Sequence, residues 1–384
     1  MDYSVCVPCL FGLESVVAEE LKRLDFRHIS SENGRVNFRG GLSSVARANL
    51  NLRCGERVLI IVGTCSAENF NDLFEGVKAL PWERFIPYDG EFPVKGHLRD
   101  SKLRSVPDSQ AIIKKAIVER MKKHYGINWF DENGARFRVQ FSIVKDVATL
   151  YIDTSGASLH KRGYRENSVA APLRETLAAA LIILSRWRGD RLFIDPFCGS
   201  GTIPIEAALI ASGIAPGLYR RFEAEKWSTL PKETWEEERQ LAHLAIKAPE
   251  KLVFASDIDP AAVSLAEDNA RKAGVSDLIT FSRQDALKVD YSEIDRAKGY
   301  LITNPPYGER ISDQETVNNI YRALAERFAE YPSLKHFILS SHNDFESIFG
   351  PADRRRKLYN GMLVCNMYSY FKNPKCENNT CTER

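Results

Sequence analysis

The sequence has no apolar run long enough to cross a bilayer, and its opening, MDYSVCVPCLFGLE, lacks the positively charged start of a secretory leader. Neither a membrane span nor export is expected, which places the protein in the cytoplasm. A strong charge of one sign is also missing, since 53 Lys+Arg oppose 51 Asp+Glu and leave +2. Paired metal-ligand spacings are missing too. Cys6 and Cys9 make one C-x-x-C, but on a strand-like stretch, YSVCVPC, with no second pair nearby. Buried reduced thiols are the better expectation, and no metal is expected. Cys376 and Cys381 lie in a polar tail and are given no role.

What is present suits a chain of two or three folded domains: 384 residues, 44% of them hydrophobic. The near-zero net charge hides an asymmetry, +5 over residues 1–165 and −3 over the remainder. The basic excess concentrates at 93–123, which includes Lys95, Arg104, Lys114, Lys115, Lys122 and Lys123. Such a patch either solvates a helix face or meets a polyanion.

Strand and helix alternate in short units through the first 155 residues, with a boundary near 66 and two small α+β units as the simplest parse. The stretch 108–124 is predicted as a helix with Ile112, Ile113, Ala116, Ile117, Arg120 and Met121 on one face and lysines crowding the rest. Asp108 and Ser109 supply capping chemistry after Pro107. From 166 the pattern becomes long βα alternation. Apolar strands at 191–195, 251–257, 278–283, 298–304 and 335–341 are separated by helices, which predicts a parallel sheet covered on both faces. The segment RRKLYNGMLVCNMYSYF then reads as a closing antiparallel hairpin with a type I′ Asn-Gly turn. The insertion at 213–250 has no evident role.

Polar residues follow four of these strands in succession. FIDPFCGSGT ends the first, where Gly199 and Gly201 let the backbone pass close to a ligand before Thr202 opens a helix. This loop lacks the third glycine of a dinucleotide fingerprint and the Gly-Lys-Ser/Thr of a phosphate loop. ASDIDP ends the second strand. Asp257 is the first choice to accept from ribose hydroxyls, with Asp259 either its rival for that task or the cap of the helix beginning at Pro260. Asp285 follows the third strand, placed to accept from an adenine amino group. The fourth runs into NPPYGER, where two prolines lock the backbone and leave Asn304 and the Pro305 carbonyl as rigid acceptors beside Tyr307. Such a pair suits a planar group bearing an NH2.

DPFCGSGT, SDIDP, QDA and NPPYGER resemble, in order, the S-adenosylmethionine (SAM) and amino-target motifs of class I methyltransferases. With the lead-in HKRGYRENSVAAPLRETLAAALI, they resemble those of the THUMP-domain RNA methyltransferases, a branch similar to bacterial 23S rRNA guanine-N2 enzymes and often labelled N6-adenine-specific DNA methylases. The resemblance implies an α/β fold. A Rossmann-like methyltransferase sheet over 156–384 would follow a ferredoxin-like unit at 1–66 and a THUMP-like RNA-binding domain at 67–155. It implies a SAM site drawn from Leu173, Asp195, Pro196, Cys198, Gly199, Gly201, Thr202, Asp257, Ile258, Asp285, Ala286 and Asn304, with S-adenosylhomocysteine (SAH) as product. Asn304, Pro305, Pro306 and Tyr307 would hold and stack the target base. The expected partner is RNA, 23S rRNA or a pre-50S particle, met by the basic residues above and by Lys161, Arg162, Arg165 and Arg310. The upstream cluster either touches phosphate or only joins domains, and the run Arg354 to Lys357 is open in the same way. The little chain left after NPPYGER argues against an appended DNA-recognition domain. Guanine N2 is the first-choice atom; tRNA guanine N2, DNA adenine N6 and a non-catalytic RNA-binding factor are the alternatives.

Overall fold

The computed structural model describes residues 2–165, 173–306 and 314–371. Two compact units emerge, and neither is a simple half of the chain. The first comprises the chain up to Cys9, Val17–Leu159 and Gly217–Ala242; the second comprises Leu10–Val16, His160–Pro216 and the chain from His243 onward.

The first unit is built on one seven-stranded sheet. Its strands are β1 (Tyr3–Pro8), β2 (Arg27–Glu32), β3 (Arg35–Gly40), β4 (Leu59–Ser66), β5 (Val94–Arg99), β6 (Val139–Val144) and β7 (Val147–Asp153), in the order β2-β3-β1-β4-β7-β6-β5. The two α+β units of the sequence therefore share a sheet, because β4 pairs with β1 on one side and with β7 on the other. The lysine-rich helix runs Val106–Tyr125, starts on the Ser105 cap and buries Ile113, Ala116, Ile117 and Met121. Ile112 is only half-buried.

The central part of the insertion left unexplained by sequence, Gly217–Ala242, belongs here. Trp227 stacks on Phe137 with ring centroids 4.7 Å apart and donates its indole N–H to the Arg136 carbonyl at 2.9 Å. Arg220 donates to the carbonyls of Leu159 and Ala157, and Arg47 grips Glu238 through two bonds of 2.9 and 2.8 Å. An aromatic anchor with bidentate arginine pairs explains why this polar stretch folds at all.

The second unit holds β8 (Phe193–Asp195), β9 (Val253–Asp257), β10 (Ile279–Arg283), β11 (Tyr300–Thr303), β12 (Lys335–Ser340), β13 (Arg354–Asn360) and β14 (Leu363–Tyr370). Their order is β10-β9-β8-β11-β12-β14-β13, with parallel pairing up to β12 and antiparallel pairing beyond. This is the Rossmann-like, mostly parallel sheet with a closing antiparallel pair that the sequence predicts. Helix Glu175–Ser185 leads into β8, and helices Thr202–Ala211, Pro260–Lys272 and Gln314–Ala329 lie between later strands.

The closing turn differs from expectation. Asn360 still pairs with Leu363, so the central residues are Gly361 and Met362, not Asn and Gly. Only Gly361 takes a positive φ, +66°, the pattern of a II′ and not a I′ turn. Met362 sits at the apex and is 99% exposed.

Candidate active site

The carboxyl ends of β8, β9, β10 and β11 bring Asp195, Asp257, Asp285 and Asn304 to one edge of the sheet. Between β8 and its helix the chain makes a tight turn with Gly199 at φ +51° and Gly201 at φ +82°. A methyl group at Gly201 would lie 2.9 Å from the Ala266 Cβ, so glycine is needed there for packing and conformation alike. A Cβ at Gly199 would meet no atom within 4 Å, which leaves that side of the turn open to a ligand.

Three contacts fix the turn. Asn269, buried in the next helix, donates to the Ser200 carbonyl at 2.9 Å, and Cys198 N–H donates to the Ser256 carbonyl at 2.9 Å. Gly199 N–H donates to Asp257 Oδ2 at 3.0 Å. The other oxygen of Asp257 accepts from Asp259 N–H at 3.0 Å. A carboxylate oxygen has room for a second donor, so Asp257 is oriented without being saturated. Asp259 accepts from Ala261 N–H at 2.9 Å and is the helix cap, which separates the two aspartates that the sequence left as rivals. Ile258 between them is 63% exposed, an apolar side chain standing beside the acidic one.

Asp195 is 1% exposed. It accepts from the Thr303 hydroxyl at 2.6 Å and from Phe197 N–H at 3.2 Å, tying the end of β8 to the end of β11. Burial pushes its carboxyl up to about 7, with nearby Asp257 adding to the rise. Pro196 and Thr202 are buried, and burial raises the Cys198 thiol well above its ordinary value, which disfavours the thiolate. Asp285 is half-buried, accepts from Leu287 N–H at 3.1 Å and lies 3.6 Å from the exposed Lys288 ammonium. Ala286 is buried, and its carbonyl accepts from Tyr291.

At the end of β11, the Asn304 side-chain oxygen is buried and has no hydrogen-bond partner among the described residues. An orphaned buried amide oxygen is costly unless a ligand completes it. Pro305 is buried, and the Pro306 carbonyl is held by the Tyr321 hydroxyl at 3.1 Å. Tyr307 and Arg310 lie outside the described residues. Among the described residues, no group of three or more His, Cys, Asp or Glu is placed to hold a metal ion.

Residues 162–369 match the family described as RMKL-like, methyltransferase domain. The chain belongs to this family. Residues 4–59 match the RlmL ferredoxin-like domain and 67–153 the THUMP domain. YpsC of Bacillus subtilis, named provisionally as an RNA methyltransferase, is 41% identical over 373 residues, 96% of each chain. The ribosomal RNA large subunit methyltransferase K/L of Psychromonas ingrahamii is 35% identical over 97% of this chain, which spans about half of that longer protein. A Listeria monocytogenes structure, described by prediction as an N6-adenine-specific DNA methylase, is 44% identical with TM-score 0.90, covering 97% of this chain and 96% of its own. SMU.472, solved as a complex with SAH, is 38% identical with TM-score 0.91, covering 96% and 98%. The methyl donor is SAM. The open side of Gly199, the oriented Asp257 and the Asn304 oxygen, unpartnered among the described residues, fit such a ligand.

The basic residues expected at RNA separate into two groups. Lys95, Arg104, Lys115, Lys123 and Lys161 are exposed. Lys114 is half-buried: it pairs with Glu132 at 2.5 Å, donates to the Phe92 carbonyl and sits 3.4 Å over the Phe92 ring. Lys122 is half-buried near Glu119. Arg162 and Arg165 face inward, contrary to the expectation of phosphate contacts. Arg162 is 7% exposed and pairs with Glu206, while Arg165 pairs with Glu175 at 3.0 Å and donates to the Leu173 carbonyl and the Thr202 hydroxyl. Leu173 is buried. Sequence reasoning missed Asn269, Thr303 and Tyr321, whose roles rest on contacts far apart in the chain. It also missed Arg99, exposed on the edge strand β5 on the same side as Lys95, a period-2 signal that was available.

Proposed function

We propose that this chain transfers a methyl group from SAM to an exocyclic amine of a base in structured RNA, with guanine N2 of 23S rRNA as the first-choice target. The observation that carries the amine chemistry is the buried Asn304 oxygen at the end of β11, unpartnered among the described residues. An exocyclic amine is a weak nucleophile because its lone pair is delocalised into the ring. Asn304 and the Pro305 carbonyl accept from it, orient it and draw the lone pair towards the methyl group that SAM supplies. Tyr321 and the Asp195–Thr303 bond keep the acceptors rigid, so alignment and fixed dipoles supply the acceleration. In this reading Asp257 binds the ribose, Asp285 the adenine amino group, and Ile258 the adenine face. The Gly199 turn and Asp195 take the methionine end.

RNA as substrate is supported by the THUMP match, by the names of YpsC and the K/L relative, and by the exposed cations Lys95, Arg99, Lys115 and Lys123. The name of the Listeria structure favours DNA adenine N6 as the second reading. Tritiated methyl transfer to unmodified 23S RNA, 16S RNA, tRNA and DNA, followed by nucleoside analysis, separates them. N2-methylguanosine in 23S RNA supports the proposal in full. N6-methyladenine in DNA keeps Asn304 in its role and overturns the substrate. Purified protein that binds SAM and methylates none of the four sinks both readings.

A further inference from the structure

The β13–β14 hairpin extends past the rest of the sheet on the side where the acceptor lies. Strand β12 stops pairing at Ser340, opposite Asn366 of β14. Beyond that level the hairpin continues through Leu358–Cys365, Tyr359–Val364 and Asn360–Leu363 to its turn. Thr303 is level with Ile338 and so with Tyr368, which puts Asn304 next to the level of Met367. At about 3.4 Å per residue, the tip stands roughly 15 Å beyond Asn304 along the strand direction. Between two and three strand spacings, about 12 Å, separate the two across the sheet.

This projection is unusually apolar for an exposed tip. Met362 is 99% exposed at the apex, Val364 is 43% exposed, and Phe11, 47% exposed, meets Tyr359 edge-on with centroids 5.9 Å apart. The Phe11 loop is fixed in place. Arg356 donates to the Gly12 carbonyl at 2.6 Å and to the Ser15 hydroxyl at 2.9 Å. A Cβ on Gly12 (φ +88°) would lie 2.8 Å from the Lys357 carbonyl. Lys357 is exposed, with its ammonium 5.5 Å from the centre of the Tyr359 ring. Arg354 is exposed on the same strand. Flat and flexible apolar groups interleaved with cations are the chemistry of a single-stranded nucleic-acid platform, and an apolar side chain on a rigid projection can wedge between bases.

We infer that the hairpin tip and Phe11 form an RNA-docking element that holds nucleotides flanking the target base. Lys357 meets phosphate, while Phe11 and Met362 meet base faces. The inference rests on RNA being the substrate. It also supplies what amine chemistry at Asn304 needs, since a target base must leave its stack and its neighbours need a surface to replace the lost stacking.

The test compares the wild-type chain with Phe11→Ser/Met362→Asp and with Lys357→Glu, measuring RNA affinity on the best substrate RNA, its salt dependence and SAM affinity. These side chains are exposed, so folding and SAM affinity stay unchanged. Stacking on side chains makes the double variant about tenfold weaker for RNA. Lys357→Glu lowers the slope of log affinity against log salt by about 0.7. If the wild type methylates RNA and both variants bind it within twofold of wild type, the inference is wrong and the function stands. If the wild type methylates no RNA, both fall. If the double variant instead alters the sedimentation of the protein alone, the tip is a self-association surface and the inference is overturned.

Discussion

Asp257 Oδ2 accepts the backbone N–H of Gly199, 58 residues earlier in the chain, at 3.0 Å. One carboxylate thus shapes the glycine turn and faces the ligand edge. Asp257→Ala removes both functions, and SAM affinity should fall at least tenfold, since a hydrogen bond to a charged group is worth about 1.5–3 kcal/mol. Asp257→Asn keeps an acceptor for Gly199 and should lose less. Titration calorimetry reads the order, and equal losses in the two variants would separate the turn from the ligand.

Asn304→Ala should abolish methyl transfer while leaving SAM affinity within a few-fold of wild type. The side-chain oxygen has no described partner in the protein, so its removal relieves a buried orphan and costs little stability. Single-turnover transfer and SAM binding measured on the same preparation check this. A parallel loss of SAM binding would show that Asn304 serves the cofactor.

The βα alternation of the second unit was legible because buried parallel strands are short apolar runs bounded by turns, and each predicted strand lies within three residues of its structural bounds. The four polar strand ends were legible for the same reason. The hairpin turn was misread by one residue because Asn-Gly is a strong local signal, whereas the register is set by side chains such as Leu358 and Cys365 packing inward. The burial of Arg162 and Arg165 was illegible because charge in a sequence carries no sign of burial; their partners Glu206 and Glu175 come from later helices. The insertion was illegible because its anchors, Phe137, Leu159 and Arg47, all precede it by tens of residues.

Asp195 should make SAM binding pH-dependent. Its carboxyl is raised by burial to about 7, so between roughly pH 4 and pH 7 the native state holds a proton that the unfolded chain has released. Stability from this residue therefore declines as pH rises through that window. A cationic ligand favours the ionised form, so SAM affinity should rise from pH 5.5 to 8 and level off above. Asp195→Asn should flatten the profile, and an unchanged profile in that variant would assign the titration to another group.

Reversal of Lys115 and Lys123 to Glu should weaken RNA binding and reduce its salt dependence, because both are exposed on the Val106–Tyr125 helix. Lys114→Glu is a different experiment. It breaks the contacts with Glu132 and the Phe92 ring, so it should lower the melting temperature as well. Filter binding across a salt series, with thermal unfolding of each variant, separates the two effects. Unchanged RNA affinity in the Lys115/Lys123 variant would leave this helix as a solvated face.

His336→Phe should stabilise the second unit. The imidazole is 7% exposed, stacks on Phe328 with centroids 4.9 Å apart, and has an Nε2 without a hydrogen-bond partner among the described residues. Burial holds its pKa down at about 3, against 6.5 for a free imidazole. The unfolded chain therefore binds a proton that the native state refuses between those values, and stability is lost as pH falls through the window. Phenylalanine keeps the stack and removes the orphan, which should add about 1 kcal/mol at neutral pH and more at pH 5. Melting curves at pH 7.5 and pH 5 test both parts. A variant that melts lower than wild type at both pH values would mean that Nε2 has a partner in solution.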